Sequence, residues 1–142
     1  RTIGYYYMYI GALSVLTRAL VLGRMVDWLG EPRLSRVGTL LLAAGLALLP
    51  LTRGYGALAL VAALIPLGTA FTFPCVTAML SRVIGAHERG LYLGVQQTFG
   101  GVARVLSPVW AGWAFDRLGV GAPFWSGALL VAGTLLLGLG LE

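Results

Sequence analysis

The chain has 142 residues, of which 58% are hydrophobic and only 11% are charged, and its mean hydropathy is +0.88. A soluble domain carries roughly 25% charged residues, so this composition excludes an ordinary soluble globule and indicates a protein that folds in a bilayer. The net charge of +5 comes from ten basic residues, all of them arginines, which are scattered along the chain. Because they form no basic patch, a nucleic-acid partner is not expected.

Cysteine and histidine are almost absent from the sequence. Cys75 is the single cysteine and His87 the single histidine, which excludes an internal disulfide and any cysteine-based or multi-histidine metal site within this chain. No metal and no cofactor are therefore expected. The sequence begins at Arg1 without a methionine, and its first apolar segment is too long for a signal peptide, so we expect part of a longer protein.

Five apolar stretches follow one another along the chain. Each is long enough to cross a hydrocarbon core of about 30 Å as a helix, and short breaks rich in glycine separate them. The predicted fold is an all-α integral membrane protein with five transmembrane helices, at residues 3–24, 36–52, 57–82, 90–115 and 122–141.

The arginines predict how these helices are oriented. Loops 24–36 and 82–89 carry five arginines, whereas the N-terminus and loops 53–56 and 116–121 carry three. The arginine-rich face is expected to be cytoplasmic, which places the C-terminus in the cytoplasm. Tyrosines at residues 5–9 and aromatic residues near the ends of the last two helices then predict an outer interfacial belt, although the tyrosines could instead line a substrate path.

One short pattern occurs twice. Gly23-Arg-Met-Val-Asp27-Trp-Leu-Gly30 and Gly112-Trp-Ala-Phe-Asp116-Arg-Leu-Gly119 share a glycine, an aspartate four residues on, a leucine six on and a glycine seven on. The two aspartates are the only ones in the chain. Each copy closes a predicted helix, and the two lie at opposite membrane faces, as in the inverted repeats of secondary transporters. Gly23 and Gly30 are expected to permit a tight turn.

The fourth predicted helix carries a stripe of mostly small residues. Its members recur every three or four positions and so share one helical face: Gly90, Gly94, Gln97, Gly101, Arg104, Pro108 and Gly112. Small residues let another helix approach closely in lipid. Static packing and a surface on which two halves of a transporter rock are both compatible with the stripe.

Arg104 lies near the middle of that helix, where a charge in lipid costs about 3 kcal/mol or more. Pro108 has no N–H to bond back to the carbonyl of Arg104, which leaves that carbonyl without its helical donor. All five acidic residues lie near helix ends. A countercharge would therefore come from other helices or from an anionic substrate, and the sequence leaves both open.

These features together resemble the major facilitator superfamily of secondary transporters. Gly23, Asp27 and Gly30, followed by basic Arg33 and Arg36, resemble its charged loop between helices. Trp28 and Glu31 stand where the family usually has basic residues. The fourth predicted helix resembles the eleventh helix of drug and metabolite exporters. The resemblance implies that residues 1–142 are helices eight to twelve, a partial C-terminal six-helix bundle of a twelve-helix transporter.

The resemblance further implies a secondary active exporter of small molecules that works by alternating access. Its partners would be the lipid bilayer, a small-molecule substrate and the N-terminal half of the transporter, and it would lie in the plasma (inner) membrane as a multi-pass protein. Gly23, Asp27, Gly30 and Arg33 would form a conformational loop. The candidates for cavity lining or helix packing are Gln97, Gly101, Arg104 and Pro108.

Two other functions stay open from the sequence. A truncated or regulatory membrane protein without transport of its own fits the length. An integral-membrane enzyme needs clustered carboxylates, histidines or a nucleophile with its base, and the dispersed acids of this chain do not favour one.

Overall fold

The computed structural model of the protein describes residues 2–139, and this range consists of helices joined by short turns, without a strand. A π-helical turn (Thr17–Val21) joins the first two helices, and a 3-10 turn (Leu49–Leu51) follows the third. The helices are α1 (Thr2–Leu16), α2 (Leu22–Leu29), α3 (Glu31–Leu48), α4 (Tyr55–Val83), α5 (Arg89–Leu118) and α6 (Ala122–Leu139).

The predicted all-α membrane fold is confirmed. Three helical stretches in the described range are long and apolar enough to cross a membrane, namely Tyr7–Leu29, Glu31–Leu51 and Tyr55–Val83. Helix α6 is apolar but shorter, with Ala122–Leu137 as its apolar part. Helix α5 has 30 residues, enough for about 45 Å at 1.5 Å per residue, but polar residues in its middle make it less apolar than the other three. The predicted end of the last helix, at residue 141, and the C-terminus lie outside the described residues.

The first membrane-crossing stretch ends later than the sequence indicated. Residues 3–24 were expected to form the helix, with a tight turn permitted by Gly23 and Gly30, yet the helix runs through the π-helical turn and α2 to Leu29. Leu22, Met25 and Val26 pack against a buried cluster of Leu34, Phe71 and Cys75, which holds α2 in helical form.

Gly23 and Asp27 are consequently helical, and the expectation of a turn at Gly23 is wrong. The turn is confined to Gly30, whose φ of +78° is one that residues with a side chain rarely adopt. Arg33 lies in the first turn of α3, which begins at Glu31 rather than at residue 36.

Helix α3 lies at the centre of the packing and contacts α4 most extensively, then α6. The backbones of α3 and α4 almost touch where Gly38 faces Gly68. A Cβ atom on Gly68 would lie 2.6 Å from the carbonyl oxygen of Gly38, and one on Gly38 would lie 2.9 Å from the carbonyl oxygen of Gly68. Only glycine fits such an approach, so van der Waals packing of small residues holds this pair of helices together in lipid.

Helix α5 is packed far less closely. Its contacts with α4 and α6 are few, and Ala114 is its only buried residue. Near its end, Trp110 Nε1 donates to Ser126 Oγ of α6 at 3.1 Å, and the rings of Trp110 and Trp113 lie 5.2 Å apart. An aromatic cluster at one end of the bundle therefore provides the main described attachment of α5 to α6.

Two contacts fix which helix ends lie together. Arg82, at the end of α4, pairs with Glu31, at the start of α3. At the opposite end of α3, the carbonyl of Ala47 accepts a hydrogen bond of 3.3 Å from Trp125 Nε1 of α6. Helices α4 and α6 therefore both run antiparallel to α3.

The repeated sequence pattern has a repeated structure. In each copy the helix ends at a leucine, and the next glycine takes a positive φ: +78° at Gly30 and +97° at Gly119. These are the only positive-φ residues in the described part of the chain. Because α2 and α5 end at opposite ends of the bundle, the two copies are arranged as an inverted repeat would place them.

Candidate functional site

A cleft of about 940 Å³ lies between α4 and α5. Helix α4 forms one wall and α5 the other, and no other described helix contributes. The wall residues of α4 are Phe73, Pro74, Thr77, Ala78 and Ser81, and those of α5 are Leu93, Gln96, Gln97, Gly100, Ala103, Arg104, Ser107 and Pro108.

Helical periodicity explains why so many polar residues of α5 face the cleft. Gln97, Arg104 and Pro108 form one row at intervals of seven and four residues, and Gln96, Gly100, Ala103 and Ser107 form the adjacent row. Two neighbouring rows at this spacing make one face of a helix. The polar face of α5 is therefore turned toward α4, while its valines lie outside the cleft and are exposed.

The structure brings three of the four predicted cavity or packing residues together. Gln97, Arg104 and Pro108 line the cleft, whereas Gly101 does not. A Cβ atom on Gly101 would meet nothing within 4 Å, and the same holds for Gly94 and Gly112. Within the described residues, the glycine stripe of α5 therefore packs against no other helix, and its role in close packing stays a prediction.

Arg104 carries the only charge on the walls of the cleft. Its side chain is exposed and makes no ion pair or hydrogen bond with any described residue. Arg104 lies halfway along α5, about 22 Å from the first residue of the helix. Such a depth in lipid requires either a polar cavity or a countercharge, because a bare guanidinium is costly there.

The hydroxyl groups near the cleft are largely satisfied by their own helices. Ser107 Oγ donates to the carbonyl of Ala103 at 2.6 Å, and Ser81 Oγ donates to the carbonyl of Ala78 at 2.8 Å. Hydroxyls bonded in this way can still accept a hydrogen bond but have no proton left to donate. The guanidinium of Arg104, the amides of Gln96 and Gln97 and the hydroxyl of Thr77 are therefore the donors that remain on the cleft walls.

Other polar residues of α4 do not line this cleft, namely Thr69, Thr72 and Cys75. Thr69 Oγ1 donates to the carbonyl of Pro66 at 3.0 Å. Cys75 is 1% exposed and belongs to the core beside α3, so it does not reach the cleft.

Phe73, Thr77 and Ser81 form the α4 wall instead, spaced four residues apart. Their spacing was a usable signal, because it places an aromatic ring and two hydroxyls on one helical face. Threonine and phenylalanine are so common in membrane spans that the pattern did not stand out.

A second, smaller groove of about 590 Å³ lies at the end of α2. Asp27 and Gly30, two of the four residues predicted to form a conformational loop, line it together with Glu31 and Arg82. The other two, Gly23 and Arg33, do not. Asp27 is exposed and has no ion-pair partner among the described residues.

Glu31 is one of the two residues that depart from the family pattern, and the structure supplies a partner for it. Its Oε1 lies 2.8 Å from Nη2 of Arg82, and the Glu31 side chain is only 11% exposed, against 73% for Arg82. Both residues belong to the α3–α4 pair. The ion pair therefore adds to an interface that is already closely packed, at the membrane surface.

Comparison with known proteins gives a family and one relative. The family model described as Major Facilitator Superfamily matches residues 2–141. Multidrug resistance protein 1 of Bacillus subtilis (strain 168) is 29% identical over 120 residues, which cover 84% of this chain and 30% of the relative. The chain thus spans less than a third of the length of the curated relative that it matches. No solved structure matches it significantly.

Proposed function

Because the chain belongs to the major facilitator superfamily, we propose that it is part of a secondary active transporter that exports small molecules by alternating access. Membership of this family points to a transporter rather than an enzyme, and the apolar helices make the chain a multi-pass membrane protein. The observation that carries the proposal is the cleft, in which a charged and two amide side chains line open space at mid-helix depth.

The direction of transport rests on the relative. The matched protein is named a multidrug resistance protein, and export of a drug is one way for a transporter to confer resistance to it. The proposed substrate is accordingly a small molecule that leaves the cell. The plasma (inner) membrane, with the C-terminus in the cytoplasm, is the proposed location, since the arginine-rich loops favour that orientation.

Alternating access requires one element to move against another, and the uneven packing supports this. Helices α3 and α4 meet through backbone contact at Gly38 and Gly68, whereas α5 is attached mainly at its aromatic end. A helix with few contacts can shift at a smaller free-energy cost than one whose packing must be broken. We therefore assign the moving surface to α5 and the rigid part to the α3–α4 pair.

The partners of the chain are proposed on the same basis. The outward face of α5 is apolar and exposed, with Val95, Val102 and Val105 among its residues. Such a face is covered either by lipid or by further transporter helices, because water does not reach it in a bilayer. The proposed complement is the N-terminal half of the transporter, which would close the open side of the cleft.

Reconstitution of the complete gene product into phosphatidylcholine vesicles tests the function. With an imposed ion gradient, we expect saturable, gradient-dependent movement of a fluorescent drug, which vesicles without protein do not show. A protein that inserts stably and moves none of a panel of cationic, neutral and anionic drugs would contradict transport. That outcome would favour a regulatory membrane protein.

A further inference from the structure

The charge balance of the cleft is one-sided. Its walls hold Arg104 and no acidic residue. Residues 2–139 contain four acidic residues, and all of them lie at helix ends. Asp27 and Asp116 are in the last turns of α2 and α5, Glu31 begins α3, and Glu88 directly precedes α5. No described carboxylate therefore lies at the depth of Arg104, and the nearest in sequence, Asp116, is about 18 Å along the same helix.

The hydrogen-bonding capacity of the cleft has the same bias. A guanidinium offers five N–H donors and no acceptor, and it matches the two oxygens of a carboxylate or phosphate. Gln96 and Gln97 lie about two turns before Arg104 on the same helix, and each amide both donates and accepts, while the Ser81 and Ser107 protons are engaged within their own helices. The guanidinium is therefore the wall group that donates without accepting, which suits a negatively charged oxygen group.

Most of the remaining wall residues are apolar. Phe73 and Pro74 of α4 and Leu93 of α5 are among them, and the exposed ring of Phe73 is available for stacking. A ligand with an aromatic or aliphatic body would bury that body here while its charged group reaches Arg104. A volume of about 940 Å³ is ample for a molecule of drug size.

From these three features we infer that the cleft binds amphipathic organic anions, with the anionic group on Arg104 and the apolar body against Phe73. This inference rests on the proposed transport function and assigns its substrate class. The shared ligand chemistry is an anionic oxygen group on an apolar body, which a soluble metabolite and an anionic lipid both possess.

Three probes with the same ring system test the charge preference: 2-naphthoate, 2-naphthamide and 2-naphthylmethylammonium. Their affinities for the purified complete gene product are measured by calorimetry in a non-ionic detergent. We expect naphthoate to bind about tenfold to a hundredfold more tightly than naphthamide, as a charged hydrogen-bonded pair provides. The ammonium probe should bind no better than the amide. If the unsubstituted protein binds the ammonium probe as tightly as naphthoate or more tightly, the inference is overturned without any variant.

Variants then assign the preference to one side chain. Arg104→Gln should reduce the naphthoate preference to less than about threefold, and Arg104→Lys should retain part of it, since a lysine keeps the charge but loses the bidentate geometry. Arg18→Gln is the matched control, because Arg18 lies in the π-helical turn and outside the cleft. A full naphthoate preference in Arg104→Gln would contradict the assignment.

Two further comparisons distinguish a soluble ligand from a lipid headgroup, and the inferred ligand class from the proposed transport function. Naphthoate affinity is measured again in phosphatidylcholine and in phosphatidylglycerol vesicles. Retained affinity supports a soluble cargo, and loss in phosphatidylglycerol alone assigns Arg104 to a lipid headgroup. Naphthoate binding without its transport would contradict the proposed function and leave the ligand class standing. Transport of the ammonium probe without naphthoate binding would overturn the ligand class and leave the function standing.

Discussion

Helices α3 and α5 use glycine in opposite ways. On α3, Gly38 lies so close to Gly68 of α4 that an added Cβ atom would be 2.9 Å from a carbonyl oxygen. On α5, Gly94, Gly101 and Gly112 have nothing within 4 Å of where their Cβ atoms would stand. The glycines of α3 and α4 form a closely packed interface, whereas those of α5 lie on a surface without a described partner. Glycine content alone therefore does not identify the helix that packs.

The same contrast extends to charge. Glu31 and Arg82, which belong to the closely packed pair, bind each other at 2.8 Å. Arg104 on the cleft wall and Asp27 at the end of α2 have no ion-pair partner among the described residues. Glu31 and Arg82 thus satisfy each other's charge within the closely packed pair, whereas we assign Arg104 to ligand binding and Asp27 to contact with the other half of a transporter.

Enlarging the glycines should produce the largest difference between the two regions. Gly68→Leu should destabilise the fold by about 3 kcal/mol or more, because the new side chain meets backbone atoms of α3 that have nowhere to move. Gly94→Leu is the matched control on α5 and should change stability by less than about 1 kcal/mol. Thermal unfolding of both variants in detergent measures the difference. Similar losses in the two variants would contradict the contrast.

Removal of the Asp27 charge should affect transport rather than folding. We propose that Asp27 bonds to a helix end in the other half of the transporter. Asp27→Asn is therefore expected to slow transport by the complete gene product about tenfold, because one charge-assisted hydrogen bond is lost. Its stability should not change, since the side chain is exposed. Glu88→Gln serves as the control at the same end of the bundle. Unchanged transport in Asp27→Asn would contradict the proposed bond between Asp27 and the other half.

The Glu31–Arg82 pair should give the smallest effect. Arg82 is 73% exposed, so a double-mutant cycle of Glu31→Gln and Arg82→Gln should show a coupling of about 0.5 kcal/mol, reduced by added salt. Because both residues belong to the α3–α4 pair, these substitutions should change transport no more than they change stability. A large transport defect without a stability change would indicate that the pair belongs to the moving part.

Much of the fold could be predicted from local signals. Uninterrupted apolar runs located the helices, and Gln97, Arg104 and Pro108 stood out within one of them. All three line the cleft. Local patterns fix such features because each depends on the periodicity of a single helix.

The errors concern contacts between helices. Gly23 and Asp27 looked like a turn, but packing of Met25 and Val26 on the core keeps that segment helical. The sequence emphasised the stripe on α5 rather than the closest packing, at Gly38 and Gly68, whose pairing depends on the register of two helices. The partner of Glu31 is 51 residues away along the chain. None of these contacts between helices can be predicted from the periodicity of a single helix.

Cysteine accessibility tests the central contrast most directly. In the complete gene product, with all cysteines except the one under test replaced, Gln97→Cys on the cleft wall and the native Cys75 in the core are exposed to a membrane-impermeant maleimide. We predict that Gln97→Cys reacts at least about tenfold faster than Cys75, which is 1% exposed, and that 2-naphthoate slows only the first reaction. Equal rates, or a Gln97→Cys reaction that no ligand slows, would contradict the assignment of the α4–α5 cleft as the substrate path.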